Sequence, residues 1–331
     1  MFRIKILKGI PEWLIWLVKI VIAAFAIRFI LLKVFRHESI GELTESLNAL
    51  GDESSKIILA FVFLLLIVNL FTESLKWIII MKPLEKISLL KSFSAVLTGI
   101  SVSFFVPNRA GEFVGRVLYV EQADKIKTSL VTILASIGQL VITLSIGCLF
   151  MIVYLRNELS SSWIYFPLAA IMLLLSAGLI FIFIYFPYIA ERFSSLALLR
   201  KFSEYLSVLK LYKPKIFLSV LMLSLLRYVV FVHQYYLLQK IFFPETPYFL
   251  AIGLISIIYF ALAIIPMFAL SEIGVRSSVA VFYLSSVISS PVAITLATLS
   301  IWLINIVLPA LIGSVLFLFV RFSGGRNNSA S

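Results

Sequence analysis

A chain of 331 residues that is 62% hydrophobic and only 13% charged, with mean hydropathy +1.10, lies outside the range of soluble domains, which run near half apolar and a quarter charged. Its 28 Lys and Arg against 16 Asp and Glu, a net charge of +12, suit an anionic membrane surface or an anionic ligand. The basic residues are scattered between apolar runs, which excludes nucleic acid as a partner. Cys148 is the single cysteine and lies in an apolar run, so neither a disulfide framework nor a thiolate metal site is expected. His37 and His233 are isolated, and no metal or cofactor is expected.

A membrane span needs about 20 consecutive apolar residues. The first such run is 13–35. Arg3, Lys5 and Lys8 precede it and Ala24-Phe25-Ala26 resembles a cleavage site, but Lys19 interrupts it and apolar residues continue past Ala26, so it is read as a retained span. An acidic loop follows, with Glu38, Glu42, Glu45, Asp52 and Glu53. The second span, 57–80, carries Asn69, Glu73 and Lys76 on one face near its end, and Glu73 is an available partner for a buried arginine. A basic stretch follows (Lys76, Lys82, Lys86, Lys91). Residues 92–120 are apolar but broken by Pro, Gly and charge. The third span, 129–155, has a polar stripe of Thr132, Ser136, Gln139 and Thr143, a pattern that more often joins helices than binds ligands. The fourth is 163–187. Residues 192–210 form a basic amphipathic segment suited to the inner leaflet. The fifth span, 215–243, holds Arg227 near its middle, with His233 and Gln234 beyond it. A second broken stretch covers 248–288, and 291–320 is the sixth span.

Lys and Arg concentrate in alternate loops: the N-terminus, 76–91, 190–215 and the Arg321/Arg326 end. The loops at 36–56 and 156–162 lack this excess. The pattern puts both termini in the cytoplasm. It also requires 92–120 to enter and leave by one face, as a re-entrant hairpin bent near Pro107-Asn108. By the same count 248–288 is a hairpin from the opposite face, turning near Pro266; two full crossings there satisfy the count equally. The fold class expected is all-α: one polytopic helical membrane domain over 1–331, without a separate soluble domain. It has six spans and two re-entrant or broken hairpins, about eight membrane segments.

The two bends resemble one another. The first reads Pro107-Asn-Arg109-Ala-Gly111-Glu112-Phe-Val-Gly115-Arg116, the second Pro266-Met-Phe-Ala-Leu-Ser-Glu272-Ile-Gly274-Val-Arg276. Each has a proline, a glutamate five or six residues on, a nearby glycine and an arginine four after the glutamate. On a helix that spacing stacks Glu and Arg on one face, and the proline starts a new helix just before each Glu. At a water-exposed helix such a pair is only a cap. Within a membrane, ionisable groups normally face a cavity, and paired broken helices entering from opposite faces are the pattern of transporters with inverted repeats. The candidate substrate-binding residues are therefore Arg109, Glu112, Arg116, Glu272, Arg276 and Arg227. The expectation is that the two Glu/Arg elements face each other across a polar cavity near mid-membrane.

The stretch "LTGISVSFFVPNRAGEFVGRVLYVE" resembles the signature of the lysylphosphatidylglycerol synthase transmembrane region, a flippase-like family of bacterial membrane proteins. "PMFALSEIGVRSSVAVFYL" is similar to that family's later Pro-rich, Gly-Val-Arg stretch, and "LKWIIIMKPL" to the basic-Trp end of its second span. The family's later motif carries Glu directly after the Arg, where this chain has Ser277, with Glu272 upstream. Its third span often has Arg and Asp where this chain has Gln139 and Thr143. The resemblance implies a bacterial inner-membrane protein that moves an anionic or aminoacylated lipid, with membrane lipids as its partners. It implies no aminoacyl-transferase activity, since no segment of the sequence corresponds to the cytosolic catalytic domain of the full-length synthases.

Other classes read less well. Aspartyl chemistry needs two Asp within spans, but Asp52 and Asp124 lie outside or at span edges. H-E-x-x-H and Walker motifs are absent, so no catalytic residue is assigned and no nucleotide-driven pumping is expected. A membrane-embedded lipid-modifying enzyme and a non-transporting partner of a lipid synthase are the alternative functions, and a homo-oligomer or a complex with a lipid synthase is the assembly expected with them.

Overall fold

Hydrocarbon offers no partner to a backbone N–H or C=O, so a chain this apolar must close its hydrogen bonds within each segment. The computed structural model, which describes residues 44, 48–105, 111–159, 163–193, 207–265 and 269–318, does so with helices; among the described residues there is no strand. In chain order these are α1 (Glu53–Met81), α2 (Leu89–Phe105), α3 (Gly111–Val117), α4 (Lys125–Leu159), α5 (Tyr165–Ile184) and α6 (Phe186–Phe193). A 3-10 turn (Ser207–Leu211), α7 (Pro214–Phe242), α8 (Tyr248–Ile264) and α9 (Ala269–Leu284) follow. The last crossing comprises α10 (Pro291–Trp302), a π turn (Leu303–Val307) and α11 (Leu308–Leu318).

Among the described residues five segments are long and apolar enough to cross a bilayer: α1, α4, α5, α7 and the composite α10–α11. They match five of the six spans read from the sequence; the run at 13–35 lies outside the described residues, as does most of the amphipathic segment 192–210. The centre of the molecule is the antiparallel pair α1 and α7, which share the most extensive helix contact. Four bonds fix their register. Tyr212 donates to the Ile80 carbonyl, Arg227 to Asn69 and Glu73, and Gln234 to the Val62 carbonyl at 3.0 Å.

The two broken stretches are helical hairpins. In the first, α2 and α3 run antiparallel with glycines at the crossing: a Cβ on Gly115 would lie 2.6 Å from the Gly99 Cα, and one on Gly111 would strike Ser103. At the hairpin's mouth Lys91 bonds Glu121 at 2.8 Å, so it enters and leaves by the same end. Glu85 closes that end, accepting the backbone N–H groups of Gln122 (2.8 Å), Ala123 (3.0 Å) and Glu121 (3.2 Å). In the second hairpin α8 and α9 pack together.

The long helix α4 serves as a ruler for both. The first hairpin joins its start at Lys125. The second lies toward its other end, with Phe150 over Gly253 and Tyr154 edge-on to Tyr283 at 6.3 Å. The hairpins therefore open toward opposite ends of the bundle, which for 248–288 is one of the two arrangements that the loop charges allowed. Helices α2 and α8 have 17 residues each, about 25 Å, short of a hydrocarbon core of about 30 Å.

Helix α10 packs on α9 and α7, and α11 on α2. Gly313 of α11 rests directly on the Leu97 backbone. Helix α5 is peripheral, held mainly by α4 through the Ser145/Ser176 exchange and Phe183 beneath Gly138. Its exposed residues, such as Leu174 and Phe166, have lipid as their solvent.

Candidate functional site

Residues 69, 73 and 76 recur at four and three positions along α1, so their side chains share one face. That face is turned toward α7, α3 and the π turn, and it is almost fully buried: Asn69, Glu73 and Lys76 are 2%, 2% and 1% exposed. Glu73 is the centre of a charge cluster. Its Oε1 accepts Arg116 Nη2 at 2.8 Å. Its Oε2 meets two cations, Arg227 Nη1 at 2.7 Å and Lys76 Nζ at 2.7 Å. The Arg227 Nε donates to Asn69 Oδ1 at 2.6 Å, and the guanidinium lies 5.1 Å from the centre of the Phe231 ring. Asn69 in turn donates from Nδ2 to Asn305 Oδ1 at 3.0 Å. Four elements thus meet in one hydrogen-bonded network: α1, α3, α7 and the π turn.

The glycines explain how Arg116 reaches Glu73. With no side chain at 99 and 115, α3 lies against α2 backbone to backbone, and Arg116, one residue past Gly115, is buried against α1 at 1% exposure. Glu112, four residues before Arg116, is 3.5 Å from it and partly open. The i,i+4 stacking read from the sequence is present, but the closer partner of Arg116 is Glu73, on another helix.

Three cations surround one buried carboxylate, with Glu112 as the nearest second anion. Arg116 Nε and Nη1 are buried without an acceptor among the described residues. Of the 16 carboxylates in the sequence, Glu73, Glu112 and Glu272 are the ones within membrane segments, so little negative charge is available to balance the surplus. In a low-dielectric interior an uncompensated guanidinium is strongly unfavourable, and its N–H fork is shaped for an oxyanion.

The second Glu/Arg pair is built as the sequence indicated. Glu272 falls in the first turn of α9 and its Oε1 accepts both Arg276 Nε (2.9 Å) and Nη2 (2.6 Å), with both side chains about seven-eighths buried. Gly274 is buried beside them. Helices α3 and α9 do not pack substantially on each other, and no described ion pair joins Arg116 or Glu112 to Glu272 or Arg276. Arg227, not Glu272, is the residue brought to Arg116 through a shared carboxylate. Arg109, Pro107 and Pro266 lie outside the described residues.

The polar stripe on α4 joins helices: Trp77 Nε1 donates to Thr132 at 3.1 Å and Gln139 Nε2 to the Ser224 carbonyl at 3.2 Å. His233 bonds within its own helix and to Tyr248. Asn305 is the network residue that the sequence reading passed over. Its signal was a lone amide in an apolar run with Pro309 four residues on. Outside the membrane, burial raises the Glu85 carboxyl, but the three backbone N–H donors and Lys91 outweigh it and hold the group below its ordinary range.

A family model described as the lysylphosphatidylglycerol synthase TM region matches residues 16–318. No curated protein and no solved structure shows significant similarity to the chain.

Proposed function

Because the chain belongs to the lysylphosphatidylglycerol synthase transmembrane family, we propose that it is a lipid translocase moving an anionic or aminoacylated phospholipid between leaflets. One observation carries this reading: the buried Lys76 and Arg116 and the part-buried Arg227 share the Glu73 carboxylate while Arg116 keeps two unmet donors. An anionic headgroup supplies the missing charge. The carboxylates Glu73 and Glu112 hold the arginines in place between visits, and Glu112, the more open of the two, is placed to meet an amino group on the same headgroup.

The hairpin arrangement supports the same reading. Two hairpins opening toward opposite ends give a headgroup an approach from either leaflet, the logic of broken-helix carriers. The end bearing Lys82, Lys86, Lys91, Lys125, Lys127, Lys213 and Lys215 is assigned to the cytoplasm, with both termini there and the bacterial inner membrane as its location. We assign the chain no covalent chemistry; its partners are the lipids it moves.

The test is lipid flip in vesicles containing the purified full chain, with fluorescent phosphatidylglycerol and phosphatidylcholine and a membrane-impermeant quencher. The chain accelerates loss of inner-leaflet phosphatidylglycerol fluorescence, and Arg116→Gln slows it at least tenfold. Equal rates with and without protein refute translocation. Equal phosphatidylglycerol rates for the parent and Arg116→Gln refute the role of the cluster.

A further inference from the structure

The last crossing is not one helix. Its first half, α10, packs on α9 of the second hairpin, and its second half, α11, packs on α2 of the first. The Gly313 contact with Leu97 brings α11 and α2 together backbone to backbone, a contact that leaves little room for sliding. Between the halves lies the π turn Leu303–Val307, in which the Leu308 N–H bonds the Leu303 carbonyl.

The cause is in the sequence. Residue 309 is proline, so it has no N–H for the Asn305 carbonyl and its ring crowds that carbonyl. Widening the preceding turn relieves the crowding, and such insertions recur at functional sites and mark where helices bend. The same turn carries Asn305, whose side chain donates to the Ile301 carbonyl at 3.3 Å and accepts from Asn69. Asn69 holds Arg227, and Arg227 shares Glu73 with Arg116. An unbroken line of bonds thus runs from the break in the last crossing to the charge cluster.

We propose that this π turn is the joint about which the two hairpins move relative to each other, and that Asn305 is the positioning residue that couples the joint to the occupancy of the cluster. An anion that draws Arg227 away from Asn69 frees Asn69 and alters its hold on Asn305. The joint then relaxes, and α11 carries the first hairpin with it while α10 stays with the second. The inference rests on the translocation reading only in supposing that an anionic lipid reaches the cluster.

The experiment places spin labels at Leu90, on the first hairpin, and Phe282, on the second, both well exposed at 82% and 68%, in a Cys148→Ala background of the full chain. Label-to-label distances are measured in nanodiscs of phosphatidylcholine alone and with phosphatidylglycerol. In the parent the distance distribution shifts with phosphatidylglycerol. In Asn305→Leu the shift is lost. In Pro309→Ala, which restores the N–H that an ordinary helix needs, the shift falls at least twofold, and this variant carries the test if Asn305→Leu does not fold.

A parent with no lipid-dependent shift overturns the proposal, and so do folded variants that shift as the parent does. The outcomes separate from those of translocation. An Asn305-dependent shift without lipid flip keeps the joint and removes the translocase, whereas flip untouched by both variants removes the joint alone.

Discussion

Glu73→Gln is the most informative single change, because one carboxylate holds three cations. At an effective dielectric of about 20, a unit pair near 4 Å is worth about 4 kcal/mol, so three such contacts set a ceiling of about 12 kcal/mol for the attraction removed. Side-chain relaxation and water entry reduce this to the ~3–5 kcal/mol seen when one partner of a buried pair is deleted. Glutamine keeps the shape of glutamate but turns an N–H₂ group toward at least one of Lys76, Arg116 or Arg227, and leaves only Glu112, 3.5 Å from Arg116, as a nearby anion. The measurement is reversible unfolding in mixed micelles. Glu53→Gln serves as the control, since the Lys56–Glu53 pair is exposed and its loss costs less than about 1 kcal/mol. A Glu73→Gln protein within about 1 kcal/mol of the parent refutes the cluster as described. Adding Arg116→Gln must also cost less in the Glu73→Gln background than in the parent; equal costs show that the two residues are uncoupled.

Three further outcomes are expected. Arg116→Lys leaves flip as slow as Arg116→Gln does, because an ammonium cannot present the planar fork whose Nη2 holds Glu73 while Nε and Nη1 stay open; vesicle assays at parent-like rates refute this. Gly115→Leu abolishes monodisperse protein on size exclusion, since its Cβ alone falls 2.6 Å from the Gly99 Cα, whereas Gly178→Ala, with nothing within 4 Å, matches or exceeds the parent in thermal melts. Finally, the Glu85 clamp makes stability pH-dependent. Its folded carboxyl is depressed below the ordinary 4.5, so its contribution is full above that value and is lost as pH falls through the lower folded one. Melts of the parent across that window drop by more than those of Glu85→Gln; parallel curves refute the clamp.

Much of this architecture was legible because membrane physics leaves few options. Loop charges alone require the first stretch to be a hairpin, and the Lys91–Glu121 mouth agrees. The same reasoning left the second stretch as either a hairpin from the opposite end or two full crossings, and the structure has the hairpin, with Tyr154 meeting Tyr283 at that end. The Glu/Arg spacing gave Glu112–Arg116 and Glu272–Arg276 because an i,i+4 relation is local to one helix. What one-dimensional reading could not give is which helices are neighbours. Glu73 was visible as a spare carboxylate for Arg227, but its simultaneous hold on Arg116 depends on the close glycine approach of α3 to α2. The expected meeting of the two Glu/Arg pairs came from their likeness, and likeness carries no distance. Asn305 escaped because an amide in an apolar run reads as helix glue until the proline four residues later is weighed with it.

The length of α4 has a consequence for the bilayer itself. Its 35 residues reach about 52 Å, while its partner α5, with 20, reaches about 30 Å. Two packed helices so unequal fit one hydrocarbon slab only if the longer leans or carries its ends into the headgroup layers. Lys125 and Lys127 at one end of α4 and Arg156 near the other mark stretches that seek the headgroup layers, so α4 leans wherever the slab is thinner than its apolar length. The second hairpin rests on the C-terminal half of α4 through Phe150 and Tyr154, so that lean swings the hairpin's mouth sideways. Where α4 leans, acyl-chain length becomes a mechanical input that acts on the scaffold at a distance from the Glu73 cluster.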